Sequence, residues 1–383
     1  MKLALVCGLT VLCTAGYAAP TVTPIRNRMT DERWAPGAVC LSDGHTALIA
    51  GGFSYSYGGC VATADLFDEH DSKFVPVESQ LAFPRDFPGT ALLSNGDVLF
   101  AGGYNIVLGT LYTAEIYDSA HKSFRLLPQH MHNARELFTA TVLTDGRVLL
   151  VAGFSIPRRT TIASVELFNP ADESFTEVPN GLAQDRFGQA AVRLADGRVL
   201  IVGGKHWRVG KPDKPLASAE IYDPATNQFH TTVGSMATPR DRPTATLLGD
   251  GTVLIAGGQD GSFGPRSLEL FDPKTELFTT LPDSLAVSRM AHSAVQFPDG
   301  TILLAGGWSP DVNSTTATTE LLDPAHNLCV AGPSISVAAH DMGSVQFADG
   351  KVLLAGGKIA GKGHEGSSDQ GDLVSPGSPA GYP

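Results

Sequence analysis

The sequence predicts an all-β fold in which four-stranded sheets are arranged radially around an axis, a β-propeller. One pattern recurs seven times along the 383 residues, each copy contains four strand-like stretches, and glycine is abundant, at 42 residues. A unit of about 50 residues with four strands cannot bury both of its faces alone, so its copies must pack against one another. We therefore expect seven blades, with six blades as the alternative.

Each copy is marked by a hairpin turn of the Asp-Gly or Asn-Gly type, in which both residues tolerate positive φ. A strand of small and β-branched residues precedes the turn. A continuously apolar strand follows it, as at residues 199–202, and this predicts burial on both faces. That strand ends in Gly-Gly. The turn glycines, 49 to 54 residues apart, are Gly44, Gly96, Gly146, Gly197, Gly251, Gly300 and Gly350.

The second half of each copy supplies two further strands. A third strand such as residues 220–223 ends in an Asp-Pro type turn, and an aromatic such as Phe229 opens the fourth. With its Gly-Gly after an apolar strand, its Tyr/Phe-Asp-Pro turn and this late aromatic, the chain resembles the kelch-repeat family, in its bacterial, exported, galactose-oxidase-central-domain-like form. The chain has Phe where kelch units usually carry Trp. The resemblance implies a kelch-type propeller that binds ligands around the mouth of its axial channel.

The two ends of the chain predict how the ring closes. Residues 21–25 align with residues 278–282, a fourth strand, and residues 372–376 are a faint copy of a third strand. We expect the N-terminal strand to complete the seventh blade, which removes a free sheet edge. The predicted organisation is a signal peptide at 1–18, the propeller at 19–357, and a Gly/Ser/Pro-rich closing segment and tail at 358–383.

The first residues have the features of a secretory signal. Lys2 precedes an apolar run to Leu12, and Gly16 and Ala18 are the small residues that cleavage after position 18 requires. We therefore expect a secreted or periplasmic protein. Its mature part keeps Cys40, Cys60 and Cys329, and the sequence leaves open whether the first two form a disulfide.

Six arginines stand eleven residues before their turn glycines, in the loop that enters the first strand. Repetition places such residues in a circle, and a guanidinium can donate two parallel hydrogen bonds to a carboxylate or phosphate. Arg242 adds a further guanidinium, and Ala339-His340 breaks the pattern in the seventh copy. The alternative is a structural ring, because most of these arginines have an acidic neighbour. The six are Arg33, Arg85, Arg135, Arg186, Arg240 and Arg289.

The loops after the double glycines vary, and they combine aromatic residues with polar ones. An aromatic face beside hydrogen-bonding groups suits a sugar ring. The alternative is that the aromatics cover neighbouring blades. Together with His340, the candidate binding residues of these loops are Tyr55, Tyr57, His206, Trp207 and Trp308.

These features predict an exported, non-enzymatic binding module for an anionic or glycan-like ligand or a protein partner, without a cofactor or metal. The net charge of −12 excludes a general nucleic-acid binder, and no apolar stretch after the first twenty residues is long enough to span a membrane.

The alternative is an enzyme. Some periplasmic kelch proteins, which this chain resembles, are mutarotases or epimerases of acidic sugars. His132, Glu136, His206 and His340 are then the acid-base candidates. Other kelch propellers are copper radical oxidases, whose site needs a Tyr-His pair plus further Tyr, His and Cys. No tyrosine of this chain is followed by histidine, so we do not expect that activity.

Overall fold

The computed structural model describes residues 19–261, 264–326, 328–361 and 364–377. Within them, seven four-stranded antiparallel sheets form successive blades, which confirms the seven-bladed, kelch-type propeller. An eighth four-stranded sheet joins the hairpin of Trp308–Ser309 and Ser314–Thr315 to that of Lys358–Gly361 and His364–Ser367. The predicted signal peptide lies outside the described residues. None of the described segments is a helix with the length and apolar character needed to cross a membrane.

The blades are numbered from the N-terminus, and their strands from the axis outward. Blade 1 consists of Gly37–Cys40, Thr46–Ala50, Ala64–Asp68 and Lys73–Pro76. Blade 2 consists of Gly89–Leu92, Val98–Ala101, Ala114–Asp118 and Ser123–Leu126. Blade 3 consists of Thr139–Val142, Val148–Val151, Val165–Asn169 and Ser174–Glu177. Blade 4 consists of Ala190–Arg193, Val199–Val202, Ala219–Asp223 and Gln228–Thr231. Blade 5 consists of Thr244–Leu247, Val253–Ala256, Ser267–Asp272 and Leu277–Ser284. Blade 6 consists of Ser293–Gln296, Ile302–Ala305, Thr319–Asp323 and Leu328–Ala331. Blade 7 consists of Gly343–Gln346, Val352–Ala355, Gly371–Ser375 and the N-terminal strand Thr21–Pro24.

The predicted closure of the ring is confirmed. The N-terminal strand pairs antiparallel with Gly371–Ser375, and Thr21 lies opposite Ser375. The segment after residue 357 also forms a hairpin of Lys358–Gly361 and His364–Ser367. The third strand of blade 7, Gly371–Ser375, thus lies in the segment after residue 357 that was predicted to close the ring.

Short hairpins follow the second strand in most blades and surround one end of the axis. They consist of Phe53–Ser54 with Gly59–Cys60, Tyr104–Asn105 with Gly109–Thr110, Phe154–Ser155 with Thr160–Thr161, Lys205–His206 with Lys214–Pro215, and Trp308–Ser309 with Ser314–Thr315.

The hydrophobic core lies between the blades. The second strands are buried on both faces, as their continuous apolar sequence predicts. Each of the seven hydrophobic clusters found in the described part of the chain combines side chains of two adjacent blades, and one of them joins blade 7 to blade 1. The ring is therefore held by one apolar interface between each pair of neighbouring blades.

The glycine pair after each second strand connects one blade to the next. The N–H of Gly103 donates to the carbonyl oxygen of Arg135, 2.9 Å away. A Cβ at the preceding residue, Gly102, would lie 2.6 Å from the same oxygen, and Gly102 has a φ of 58°. Glycine is favoured there on both counts. The bond recurs around the ring, from Gly52 to Arg85, Gly153 to Arg186, Gly204 to Arg240, Gly258 to Arg289, Gly307 to Ala339 and Gly357 to Arg33.

Candidate functional site

One residue of each blade forms a ring around the end of the axis, which we call the mouth ring. All seven residues have a positive φ, between 47° and 65°. Their backbones are hydrogen-bonded from blade to blade, for instance from the N–H of Arg242 to the carbonyl oxygen of Gly188 at 2.9 Å. The mouth ring consists of Ala35, Phe87, Leu137, Gly188, Arg242, Ala291 and Asp341.

A cavity of about 280 Å³ opens at the mouth ring, and every blade contributes to its lining. Its lining combines apolar side chains with the polar groups of Gln189, Arg242, His292 and Asp341. Besides the mouth ring, the lining residues are Pro36, Pro88, Phe138, Gln189, Pro243, His292 and Met342.

A hydrogen-bonded chain of polar side chains spans the mouth from blade 7 to blade 5. Nη2 of Arg242 donates to a carboxylate oxygen of Asp341, and Nδ1 of His340 lies 2.7 Å from the other oxygen. The guanidinium carbon of Arg242 is 5.3 Å from the centre of the Phe87 ring. Burial raises the pKa of Asp341, but Arg242 and His340 outweigh burial and hold it below its usual value.

The residue before each mouth-ring position forms a second ring, which we call the rim ring. Each of its members pairs with the residue that follows the double glycine, as Asp86 pairs with Tyr104 and Glu136 with Phe154. The rim ring consists of Trp34, Asp86, Glu136, Phe187, Asp241, Met290 and His340.

Two neighbouring rim-ring carboxyl groups have strongly raised pKa values. Burial, followed by the charge of Glu136, raises the pKa of Asp86 to about 8. Burial alone raises the pKa of Glu136 to about 7. The buried Oδ1 of Asp86 has no hydrogen-bond partner among the described residues. Burial also raises the pKa of Asp241 in blade 5, although Nζ of Lys205 lies 3.1 Å from its Oδ2 and opposes that shift. Carboxyl groups that titrate near neutrality are suited to general acid-base catalysis.

The six repeated arginines do not line the mouth. Each is fully buried inside its own blade. Nη1 of Arg85, for example, donates to the carbonyl oxygens of Gly102 and Thr113, and Nη2 lies 2.5 Å from a carboxylate oxygen of Glu115 in the third strand. Both oxygens of Glu115 also accept backbone N–H groups, those of Ala82 and Phe83, from the loop that enters the blade.

This arrangement corrects the predicted ligand-binding ring, because a buried guanidinium with all of these partners is part of the scaffold. The acidic partners of these arginines are third-strand residues of the same blade, and not the acidic residues next to the arginines in sequence. The pairs are Arg33–Asp65, Arg85–Glu115, Arg135–Glu166, Arg186–Glu220, Arg240–Glu269 and Arg289–Glu320. Of the arginines proposed as ligand-binding, Arg242 is the one that lines the cavity.

The predicted aromatic contacts lie on the same face but outside the cavity lining. The Tyr55 hydroxyl donates to Glu365 at 2.8 Å, and that of Tyr57 to Asp31 at 2.9 Å. Trp207 packs edge-on against Phe154, with 5.2 Å between ring centres. These contacts show that the aromatics join neighbouring elements of the rim.

Three other candidates have partners of their own. Nδ1 of His206 is 2.8 Å from Asp185, and Nδ1 of His132 is 3.1 Å from Glu166. Trp308 forms the bridge to Met290.

Cys40 and Cys60 are not joined by a disulfide. Burial raises the pKa of Cys40 to about 11 and that of Cys60 to about 12. The question of a Cys40–Cys60 disulfide is therefore answered in the negative. Thiols with pKa values this high carry little thiolate at neutral pH.

Sequence reasoning missed Asp86 and Asp341 as candidates. The signal that locates them is present in the repeats, at the first and second positions after the arginine. At these two offsets the seven copies differ strongly, and symmetry places each set in one ring. Arg242 was singled out at the second offset, and Asp341 occupies the same offset two blades later.

No protein-family model and no curated protein matches the chain. Among solved structures, the chain is similar to a fungal alcohol oxidase of the AA5 family, in complex with copper, with a TM-score of 0.69 and 15% sequence identity. The match covers 94% of this chain and 76% of the oxidase. At this identity the likeness shows the fold, a propeller of the galactose-oxidase-like type.

The comparison also corrects one prediction. The expectation of a non-enzymatic binding module is contradicted, because this structural neighbour is an enzyme.

The mouth does not fit a copper radical centre. Of the described residues that line the cavity, none is a tyrosine or a cysteine, and the one imidazole, His292, has its Nε2 3.0 Å from the hydroxyl of Thr244. The one carboxylate, that of Asp341, is held by Arg242 and His340. Soft or phenolate donors that would select and tune a redox copper ion are missing from this donor set.

Proposed function

We propose that the chain is an enzyme that catalyses proton transfer on a small acidic sugar, with mutarotation as the reaction. The observation that carries the proposal is the pair of rim-ring carboxyl groups, Asp86 and Glu136, whose pKa values lie near neutrality. They directly precede the mouth-ring residues Phe87 and Leu137, which line the cavity, whereas the two carboxyl groups are buried beside it and are not among its lining residues. An acid-base reaction needs one protonated and one ionised group, and this pair supplies both at pH 7.

These two carboxyl groups can supply and accept the two protons that mutarotation transfers. Protonated Asp86 donates its proton to the ring oxygen of the sugar while ionised Glu136 accepts the proton of the anomeric hydroxyl. The bond between the anomeric carbon and the ring oxygen breaks, and a carbonyl group forms. Closure on the other face of the carbonyl returns both protons, so the enzyme is regenerated without an oxidant or reductant.

Arg242 supports the choice of an acidic substrate. A guanidinium carries five N–H donors in a planar fork, and carboxylates are its matching ligands. The Arg242 side chain is about one fifth exposed, and its Nη2 is held by Asp341. We propose that Asp341 orients the guanidinium and that the remaining donor edge binds the substrate carboxylate.

The signal sequence predicts that the substrate is met outside the cytoplasm. A second, coarser proposal concerns the rim, where Tyr57 is largely exposed. We propose that a glycan or a protein partner contacts this aromatic rim around the mouth. The small acidic sugar would then be part of this larger ligand or a product released from it.

The test is a mutarotation assay of the mature chain by NMR exchange or polarimetry. The panel contains hexuronic acids and 2-keto sugar acids, with neutral hexoses for comparison. We expect acceleration over buffer for an acidic sugar, a bell-shaped pH profile centred between pH 7 and 8, and a loss of about 10²- to 10⁴-fold in kcat for Asp86→Asn and for Glu136→Gln.

The matched control is Glu32→Gln. Glu32 is a carboxylate on the same face that accepts hydrogen bonds from the Ser54 hydroxyl and the Ser56 N–H. Burial raises the pKa of Glu32, but its hydrogen bonds outweigh burial and lower it. This variant should keep its rate within about twofold. Absence of acceleration for every acidic sugar would refute the proposed function.

A further inference from the structure

The face opposite the mouth carries the hairpin turns between strands 1 and 2 and between strands 3 and 4 of each blade. In blade 1, these two turns bring together three side chains with metal-ligating chemistry. His45 follows the first turn, and Glu69 and His70 begin the second, directly after Ala64–Asp68. The N–H of Glu69 donates to the carbonyl oxygen of His45 at 3.1 Å, which fixes the distance between the turns.

The ligand atoms are close to the spacing that a bound ion requires. Nδ1 of His45 is 3.5 Å from Oε1 of Glu69, and Nδ1 of His70 is 3.8 Å from the same oxygen. One ligand atom of each residue lies within 4.8 Å of the others. Around a tetrahedral Zn²⁺ with bonds of 2.0–2.1 Å, neighbouring ligand atoms are about 3.3 Å apart. Small side-chain movements therefore complete the geometry.

A second observation points to a ligand at this place. The Glu69 side chain is only 1% exposed, yet its Oε2 has no hydrogen-bond partner within the described residues. Nδ1 of His45 is also buried and also has no hydrogen-bond partner within the described residues. A buried polar atom without a partner destabilises the fold. A cation between the two turns that is bound by both carboxylate oxygens of Glu69 and by Nδ1 of His45 would satisfy both atoms.

We propose that His45, Glu69 and His70 bind one divalent transition-metal ion at the far face of blade 1. Two imidazoles and one carboxylate favour ions such as Zn²⁺, Ni²⁺ and Cu²⁺ over Ca²⁺ and Mg²⁺. The imidazoles are partly exposed, His45 at 43% and His70 at 65%, so the ion keeps at least one position for water. The bound ion joins the two turns and thereby stabilises blade 1.

Lys351 of blade 7 gives the site a competing cation. Its Nζ lies 3.7 Å from Oε1 of Glu69 and 2.6 Å from Oδ2 of Asp349. Without a metal ion, the ammonium partly compensates the buried carboxylate. Repulsion between the ammonium and a bound ion weakens metal binding, so removal of the Lys351 charge should strengthen it.

Zn²⁺ is the probe for the test, which uses the mature chain after treatment with a chelator. Titration calorimetry and competition with a chromophoric chelator should show one Zn²⁺ per chain. His45→Ala and His70→Ala should each weaken binding at least tenfold, and Lys351→Gln should tighten it at least twofold. The matched control is His121→Ala, because Nδ1 of His121 lies 2.8 Å from Asp118 in the corresponding turn of blade 2.

Thermal melting without metal checks that the histidine variants are folded, which their exposure leads us to expect. Zn²⁺ should raise Tm for the wild type and for His121→Ala, and not for the other two histidine variants. Equal affinity of His45→Ala, His70→Ala and wild type, or no saturable binding to the wild type, would overturn the proposal. The site is independent of the mouth, so mutarotation by the metal-free chain bears only on the proposed function.

Discussion

Among single residues, the buried arginines link more parts of the fold than any other group described above. The Arg135 guanidinium bonds to the carbonyl oxygens of Ala152 and Ser164 and to the carboxylate of Glu166. That carboxylate also accepts the N–H groups of His132 and Asn133. One ion pair therefore fixes a second strand, a third strand and the loop that enters the blade.

Substitution of Arg135 by methionine should destabilise the protein by about 3–5 kcal/mol, because Glu166 is left buried without its counter-charge. Urea unfolding measures the change. The control is Arg147→Met, which removes an exposed ion pair with Asp145 and should change the free energy of unfolding by less than about 1 kcal/mol. Similar effects of both substitutions would contradict a structural role for the buried pairs.

The raised pKa of Asp86 predicts a pH-dependent stability. In the unfolded chain this carboxyl loses its proton near pH 4, whereas in the fold it keeps the proton to about pH 8. Between these values the unfolded state binds fewer protons at this position, so stability falls as pH rises. Asp86→Asn does not titrate, so its Tm relative to the wild type should rise from pH 5 to about pH 8 and level off above that. A pH-independent difference in Tm would contradict the raised pKa.

Sequence reasoning was limited at this scale by distance along the chain. The repeated arginines were found, but their partners lie about 30 residues away, whereas the acidic neighbours in sequence were more conspicuous. Arg242 and Asp341 are 99 residues apart and meet because the ring brings blades 5 and 7 to one axis. Only the ring geometry reveals such a pair, and the same holds for His45 with the turn at residues 69–70.

Among the structural elements, the double glycine is the junction that repeats most regularly. Six blades have glycine at its first position, and blade 3 has Ala152 instead, with a φ of 60°. An L-residue is disfavoured in this region of φ, while glycine is not. The sequence pattern predicted these junctions and all of the strands of the blades, because hairpin turns and apolar periodicity are local signals.

Replacement of Ala152 by glycine should therefore stabilise blade 3 by about 1 kcal/mol, which is the usual cost of the left-handed conformation. The reciprocal change, Gly102→Ala, places a Cβ 2.6 Å from the carbonyl oxygen of Arg135 and should destabilise blade 2 by about 2–4 kcal/mol. Both are measured by chemical denaturation. Destabilisation by Ala152→Gly would show that the side chain matters more than φ at this position.

In the whole molecule, stability depends on the closed ring. Val22 of the N-terminal strand packs with the cluster between blades 6 and 7, whereas the adjacent Thr23 is exposed. Val22→Asp should lower Tm by several degrees, since it places a charge against apolar side chains. Thr23→Asp is the matched control and should leave Tm nearly unchanged. Equal Tm values for the two variants would argue that the strand contributes little to closure.

The pairing of the first described strand with the last has a consequence for how the chain reaches its native state. Thr21 and Ser375 are separated by 354 residues, so the contact that completes blade 7 is among the most non-local in the molecule. Such contacts form late, because loop-closure entropy opposes them until the intervening blades are in place. The signal sequence predicts that the chain is exported with its N-terminus first. The strand Thr21–Pro24 then emerges first, but it can pair only after Gly371–Ser375 has emerged. Until then blade 7 has an unpaired edge, and this interval is when the chain is most exposed to aggregation and to proteases.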